Sequence, residues 1–373
     1  MSLEFDLGSC LRISSKASEC VKCVEICPVD TINISQTNLP AFTPSDCIDC
    51  GACVGVCPTE AFSLKDFSIV EFFFSFLESE DNLISCKKNI PCLSWFSVES
   101  LISLALANKK PVELDLSHCQ TCEIGVRLFD KIKSDIEEAN FILSSFCDKL
   151  LKESYILDES LLKIEVRDKD LEISSRRSFL SNLSLKGTLK TKREFDELIK
   201  QDELQEFNVD LSNISKIKEK NITDKRKLLF STLRKIEKPS KYEVLPQEEL
   251  SFISQKYIDD SCTNCQICYR VCPSGALSSD SKFSIINFDA MICLKCHLCH
   301  DVCESDSIHI QAGFENSEFF EPRERTLVKF NIKRCNECGN NFTYFEGEKV
   351  CPRCFVEEDE AITLHQNARS FNF

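Results

Sequence analysis

Cysteines spaced two, two and three residues apart can converge on a small volume. This chain writes that spacing three times in full: at Cys47, Cys50, Cys53 and Cys57, at Cys262, Cys265, Cys268 and Cys272, and at Cys293, Cys296, Cys299 and Cys303. Neighbours this close gather round an ion far more readily than they form strain-free disulfides. A fourth copy is damaged. In KASECVKCVEICP, residues 16–28, Cys20, Cys23 and Cys27 keep the spacing, but Ala17 stands where the first cysteine belongs. The two C-terminal copies start 31 residues apart and Ala17 precedes Cys47 by 30, so the damaged copy is in register for a matching pair. A two-motif unit is therefore repeated, near residues 10–65 and again near 255–312.

A total of 25 cysteines in 373 residues demands either a disulfide framework or a metal inventory, and the spacing decides for metal. The opening MSLEFDLGSC has no basic stretch leading into an apolar core, so no secretory signal is expected and the thiols are expected in a reducing, cytoplasmic setting. The longest apolar run, residues 67–77, covers about half a membrane span and contains Glu71, so no transmembrane helix is expected. SRRSFL, residues 175–180, imitates a twin-arginine export signal, but it lies mid-chain with no hydrophobic segment after it. A net charge of −15 disfavours a general nucleic-acid binder, which needs concentrated Lys and Arg, and points to basic or electron-transfer protein partners.

Between the repeats, residues 82–85 and 111–116 read as short strands and 98–107 as a helix. Val126, Phe129, Ile132, Ile136, Ala139, Leu143 and Phe146 mark one face of a longer helix. This pattern predicts a small α/β unit with a parallel sheet. Residues 185–240 are rich in charge with short apolar clusters such as Leu228, Leu229 and Phe230, and read as a partly exposed helical connector whose charges face solvent.

The C-terminal motif pair, including Cys272-Pro273, resembles the bacterial two-cluster ferredoxins, which bind two 4Fe-4S clusters and lend the fourth cysteine of each run to the other cluster. The resemblance implies that Cys262, Cys265, Cys268 and Cys303 hold one cluster, and Cys293, Cys296, Cys299 and Cys272 the second. Glu304 stands where the family often has proline, so the turn there is open to change, without loss of a ligand. By the same crossing, Cys27 joins Cys47, Cys50 and Cys53 as a complete set. The remaining site has Cys20, Cys23 and Cys57, and either takes one more thiolate or settles for a three-iron cluster. Cys10 is the candidate, because the loop to Cys20 carries Ser14, Ser15 and Ser18 and folds back at modest closure cost. The alternative leaves Cys10 a free thiol on a frayed terminus. The inventory implied is about four 4Fe-4S clusters.

Two further cysteine sets stand outside the repeats. Cys335-x2-Cys338-Gly339 and Cys351-Pro352-Arg353-Cys354 are knuckles separated by 12 residues and resemble a zinc ribbon, in which four thiolates close a tetrahedron round a structural ion. Rubredoxin-like iron uses similar knuckles with a longer connection. The other set, Cys86-x5-Cys92 and Cys119-x2-Cys122, follows two predicted strands. Were those strands parallel, both pairs would emerge at one sheet edge, where α/β folds place ligands, and would converge on one iron–sulfur cluster or zinc ion. The arrangement loosely resembles thioredoxin-like 2Fe-2S proteins, whose final pair is spaced differently. Buried thiols, or a transient dithiol at Cys119 and Cys122, are the other readings. Cys147 reads as core, and His297 and His300, inside a complete motif, at most tune its potential.

The expected architecture is α+β and multidomain: two ferredoxin-like modules flanking a small α/β unit and a helical connector, plus a zinc ribbon. Its parts are residues 1–66, 67–170, 171–250, 251–315 and 325–358, with a tail at 359–373. No G-x-G-x-x-G or Walker loop occurs and no catalytic residue is identified, so a non-catalytic electron carrier or oxidoreductase subunit is expected rather than a free-standing enzyme. The resemblance to ferredoxin-like subunits of anaerobic respiratory complexes implies a polyferredoxin that relays electrons to or from a larger oxidoreductase, such as a formate dehydrogenase or hydrogenase. The alternative is a maturation factor for a metalloenzyme, motivated by the ribbon and the central thiols.

Overall fold

After the fourth cysteine of every motif the chain must reverse sharply. In the computed structural model, which describes residues 3–65, 67–155 and 220–357, it does so four times in the same way. Asp30, Glu60, Gly275 and Asp306 each take a left-handed backbone, with φ of 53°, 52°, 77° and 48°. Each donates its amide to the carbonyl of the cysteine three residues earlier, at 3.4, 3.5, 3.4 and 3.0 Å. Asp and Gly accept that region readily; Glu60 adopts it at some cost. Glu304 leaves the turn unchanged, so the departure from proline has no backbone consequence.

These turns feed short strands. In the N-terminal unit β1 (Leu3–Phe5) pairs antiparallel with β4 (Phe62–Leu64), enclosing α1 (Leu11–Ser14), α2 (Lys22–Ile26), the hairpin of β2 (Ile32–Ile34) and β3 (Pro40–Phe42), and α3 (Ala52–Val56). The C-terminal unit repeats the plan. Its β9 (Lys256–Ile258) pairs with β12 (Ile308–Ile310) around α8 (Ile267–Val271), the hairpin of β10 (Leu277–Ser278) and β11 (Ile285–Asp289), and α9 (Leu298–Asp301). Two further pairings reach outside residues 251–315: β8 (Val244–Pro246) with β13 (Gly313–Glu315), and β11 with β14 (Glu324–Lys329). The ribbon hairpin, β15 (Ile332–Arg334) and β16 (Asn341–Thr343), follows.

The central unit is a parallel sheet in the order β5 (Leu83–Ile84), β6 (Glu113–Asp115), β7 (Lys152–Ser154). Over it pack α4 (Ile69–Glu78), which buries Phe72, Phe73, Phe74 and Phe76, α5 (Val98–Ala107), capped by reciprocal Ser97 and Ser100 bonds, and α6 (Gly125–Ser144). The α6 face differs from the expected one at both ends. Leu128, Ile132, Ile136, Ala139, Ile142 and Leu143 are its buried stripe, whereas Val126, in the first turn, is 85% exposed. Phe146 and Cys147 lie beyond the last turn, packed against the same core.

The larger correction concerns the connector. Residues 185–219, SRRSFL and the tail at 359–373 lie outside the described residues, but in α7 (Asp224–Leu233) Lys225 and Arg226 are buried rather than solvated, while Asp224 is exposed. Arg226 is wholly buried: its Nε donates to Glu99 Oε1 on α5 at 2.5 Å, and its guanidinium also donates to the carbonyls of Met291 and Phe252. The N-terminal end of α7 is held by the other module. Glu60 accepts from the amides of Asp224 and Lys225 at 2.8 and 2.9 Å, and Lys225 Nζ donates to the Cys57 carbonyl at 2.5 Å. One helix thus ties together both cysteine-motif units and the central sheet. No helix among the described residues is long and apolar enough to cross a membrane.

Candidate metal centres

A loop that wraps three thiols round one centre must coil tightly. In the three complete motifs the residue before the second cysteine and the residue after it are both left-handed: Asp49 and Gly51, Asn264 and Gln266, Lys295 and His297. The damaged motif does neither. Val21 has φ −128°, as a β-branched residue should, and Glu19 is not left-handed. Ala17 is exposed, while Cys10 is buried.

Strand pairing decides which fourth cysteine faces which loop. The β1–β4 pairing, extended by the Asp6 amide on the Ala61 carbonyl, carries the Cys57 turn to the segment before Cys10, and Cys10, Cys57 and Ala61 form one apolar cluster. In the C-terminal unit the Asp259 amide on the Ser307 carbonyl and Ser261 Oγ on the Ser305 carbonyl carry the Cys303 turn beside Cys262. The inner hairpins do the same for Cys27 and Cys272 through the Thr43–Thr31 and Asp289–Ala276 backbone bonds.

The thiol electrostatics follow this crossed grouping at Cys10, Cys23, Cys50, Cys296 and Cys299, whereas Cys53 and Cys268 also feel Cys23 and Cys299 of the neighbouring sets. Burial pushes Cys10 up, and Cys57 and Cys20 push it further; burial, then Cys57, Cys20 and Cys10, push Cys23 up to about 12. Burial raises Cys50 to about 11, reinforced by Cys92, Cys27 and Cys47, and raises Cys53 beyond it, reinforced by Cys50, Cys23, Cys47 and Cys27. Burial raises Cys268 to about 12 with Cys299, Cys265 and Cys262 adding to it, and Cys299 to about 12 with Cys293 and Cys272 adding. Cys296 is raised by burial and by Cys272, Cys293 and Cys299. Buried thiols that repel one another's charge become thiolates only round a cationic centre, so these sets fit an iron–sulfur cluster and are unsuited to remaining free nucleophiles. Backbone amides reinforce the fit: Ala61 donates to Cys57 Sγ at 3.2 Å and Ser307 to Cys303 Sγ at 3.4 Å. At Cys27 and Cys303 burial raises the thiol, but hydrogen bonds led by Thr31 and Ser307 outweigh it and leave both lowered.

The two units meet at their thiols. Leu11, Leu298 and Val302 form a cluster against which Cys20 and Cys296 pack, and the Glu19 amide donates to Asp301 Oδ2 at 3.1 Å. Arg12, buried beside this joint, donates from Nε to the Cys20 carbonyl at 2.6 Å and also bonds Asn38. Spacing announces neither Arg12 nor the cluster shared by Cys20 and Cys296; Val21, where the other motifs have Gly, Gln and His, is the readable sign of an altered loop.

The ribbon set is different in scale. The ligand atoms of Cys335, Cys338, Cys351 and Cys354 lie within 4.8 Å of one another, with 3.7 Å between the Cys338 and Cys351 sulfurs. Sulfurs at about 2.3 Å from a tetrahedral ion are about 3.8 Å apart, so this group is compatible with a single metal ion. Burial opposes ionisation of Cys335, but the amides of Cys338, Cys351 and Glu337 bring it down to about 6.

The central thiols influence one another's charge. Burial raises Cys119 to about 12, with Cys86, Cys92, Cys122 and Asp115 adding to it, and Cys86 is raised by burial and then by Cys92, Asp115 and Cys122. His297 and His300 have rings 5.5 Å apart between the complete C-terminal motif and Lys256, which bonds His300 at 2.8 Å.

Comparison with known families adds one decisive observation. Residues 17–62 match a 4Fe-4S dicluster domain. A second family of the same description matches residues 261–307. The chain therefore carries two ferredoxin-type domains in a mixed helix-and-strand fold, and these support an iron–sulfur electron-transfer role. Neither a curated protein nor a solved structure matches the chain.

Proposed function

We propose that the chain is a polyferredoxin that passes electrons to or from a larger oxidoreductase, such as a formate dehydrogenase or hydrogenase, in a reducing compartment. Bound 4Fe-4S clusters supply one-electron redox chemistry. Cys262, Cys265, Cys268 and Cys303 would hold one; Cys272, Cys293, Cys296 and Cys299 a second; Cys10, Cys20, Cys23 and Cys57 a third; Cys27, Cys47, Cys50 and Cys53 a fourth. The observation that carries the reading is the joint at Cys20 and Cys296, which sets thiols of the two domains against one apolar cluster and so supports a series running through both pairs. Half of the thiols in the four sets are buried, Cys265 is exposed and the rest are half-buried, and the α7 lock holds the spacing between domains.

The ribbon thiols would hold zinc as a staple, since zinc has no accessible redox change and a small hairpin buries little without it. Asn264 Nδ2 donates to Thr343 Oγ1 at 2.9 Å, so the ribbon rests on the Cys262–Cys265 loop. Anaerobic metal and acid-labile sulfide analysis of the whole chain tests the reading: about sixteen irons and sulfides from the four clusters of the two domains, any load on the central thiols coming in addition, and one zinc, are expected. Eight or fewer irons after full reconstitution would refute loading of both domains. Isolation without oxygen should bring down a redox enzyme, and electrons delivered by dithionite should leave the protein again to that enzyme.

A further inference from the structure

The central thiols lie outside both matched domains, and their site is built rather than incidental. Parallel pairing of β5 and β6 delivers both cysteine pairs to the same edge, where Ser85 Oγ donates to Asp115 Oδ2 at 2.7 Å and ties the strand ends together. The loop from Cys119 returns tightly onto Gly125: a Cβ there would meet the Cys119 carbonyl oxygen at 1.8 Å and Cys122 Cβ at 3.2 Å. Beside Cys119, His118 Nε2 is buried with no hydrogen-bond partner, and no side-chain oxygen or carbonyl meets it.

Scale separates the possible occupants. Among the described residues only the ribbon set closes to within 4.8 Å, the spacing of a mononuclear site; the central thiols, like the four ferredoxin sets, are spread more widely. Position adds the second argument. Cys92 turns toward the N-terminal domain, where the wholly buried Ser94 places its Oγ 3.2 Å from Cys92 Sγ and 3.4 Å from the Cys50 carbonyl. Trp95 packs against Gly51 so closely that a Cβ would lie 1.7 Å from its Nε1, itself buried without a partner.

We propose that Cys86, Cys92, Cys119 and Cys122 hold a fifth iron–sulfur cluster, set beside the site of Cys27, Cys47, Cys50 and Cys53 and exchanging single electrons with it. The inference rests on the proposed function only for that neighbour. Each exchange oxidises one centre and reduces the other by one electron, with no bond made or broken and no proton required; dithionite is the external reductant in the test.

The full chain, reconstituted anaerobically with 57Fe and sulfide, is compared with Cys119→Ala/Cys122→Ala. Wild type should hold about eighteen to twenty irons with one zinc. The double variant should lose two to four irons with matching sulfide, keep its zinc, and narrow the dithionite-reduced EPR spectrum by removing one spin–spin interaction. A folded double variant with unchanged iron and sulfide overturns the inference. Should the variant fail to fold, wild type decides: sixteen or fewer irons, or a second zinc, overturns it. Either of those results in protein whose ferredoxin motifs load normally leaves the electron-transfer reading standing, whereas empty ferredoxin motifs strike that reading instead.

Discussion

The N-terminal and C-terminal ferredoxin domains share strands, fourth-cysteine turns and three of four thiol loops. The fourth loop is where they part. In the C-terminal domain all wrapping positions are left-handed, while residues 19 and 21 are not, and a longer excursion from Cys10 runs where the missing cysteine would be. That excursion is also what the C-terminal domain touches, through Leu11, Glu19 and Cys20. The difference shows that the frame and the thiol loops are separable: strand pairing and the turns hold the domain while one loop is rebuilt for docking.

The sharpest way to break the comparison is to remove the lock common to both domains. Arg226→Leu removes the close partner of the buried Glu99 carboxylate, leaving it only Lys225 Nζ at 3.9 Å, and should cost about 3–5 kcal/mol in anaerobic denaturant unfolding. A loss below about 1 kcal/mol would mean that α7 does not hold the domains together. Next comes a matched pair of substitutions at equivalent loop positions. Gly51→Ala forces a Cβ into Trp95 at a left-handed φ of 73° and should cost about 2–4 kcal/mol, whereas Gln266→Ala should cost well under about 1 kcal/mol. Equal losses would show that the two loops are not packed differently.

Cys10→Ala probes the rebuilt loop itself. It should remove about one iron from the chain and give a three-iron EPR signal, with the other sets unaffected. Ala17→Cys in that background should restore the iron only together with Val21→Gly, because Val21 resists the wrap that a cysteine at position 17 requires. Restoration by Ala17→Cys alone would refute the backbone argument.

The smallest effect lies on the C-terminal side of the central unit. Glu138 on α6 is pushed up to about 7 by burial, against the pull of the Ser251 amide that donates to it at 2.6 Å. In the unfolded chain this carboxyl ionises from about pH 4.5 and in the folded chain only near 7, so stability should fall as pH rises through that window, by on the order of 2 kcal/mol, and then level off. Glu138→Gln should abolish this slope in thermal unfolding; an unchanged slope would assign it elsewhere.

Cysteine spacing made the motifs legible because a thiol loop is a local object, and α5 was readable for the same reason: its cap and apolar run are contiguous. The α6 face was read one turn too early at Val126, since periodicity alone cannot tell where a helix leaves its core. The burial of Lys225 and Arg226 on α7 has no local sign. Arg226 looks solvated until Glu99, Met291 and Phe252 arrive from distant segments, and nothing in its neighbourhood announces them. Ser94 joining Cys92 to Cys50 is likewise a product of docking, invisible in spacing.

The separation of 127 residues between Glu99 and Arg226 has a consequence for biosynthesis. Until the later segment leaves the ribosome, the outer face of α5 lacks its guanidinium, and the Glu60 carboxylate has no amides to accept from. The nascent N-terminal domain and central sheet thus stand open on the side that α7 will cover, with the Cys57 carbonyl still reachable. The arrival of α7 engages the Glu60 carboxylate, the Cys57 carbonyl and Glu99 together, so this tie between the N-terminal domain and the central sheet is complete only once residues 224–226 have been made.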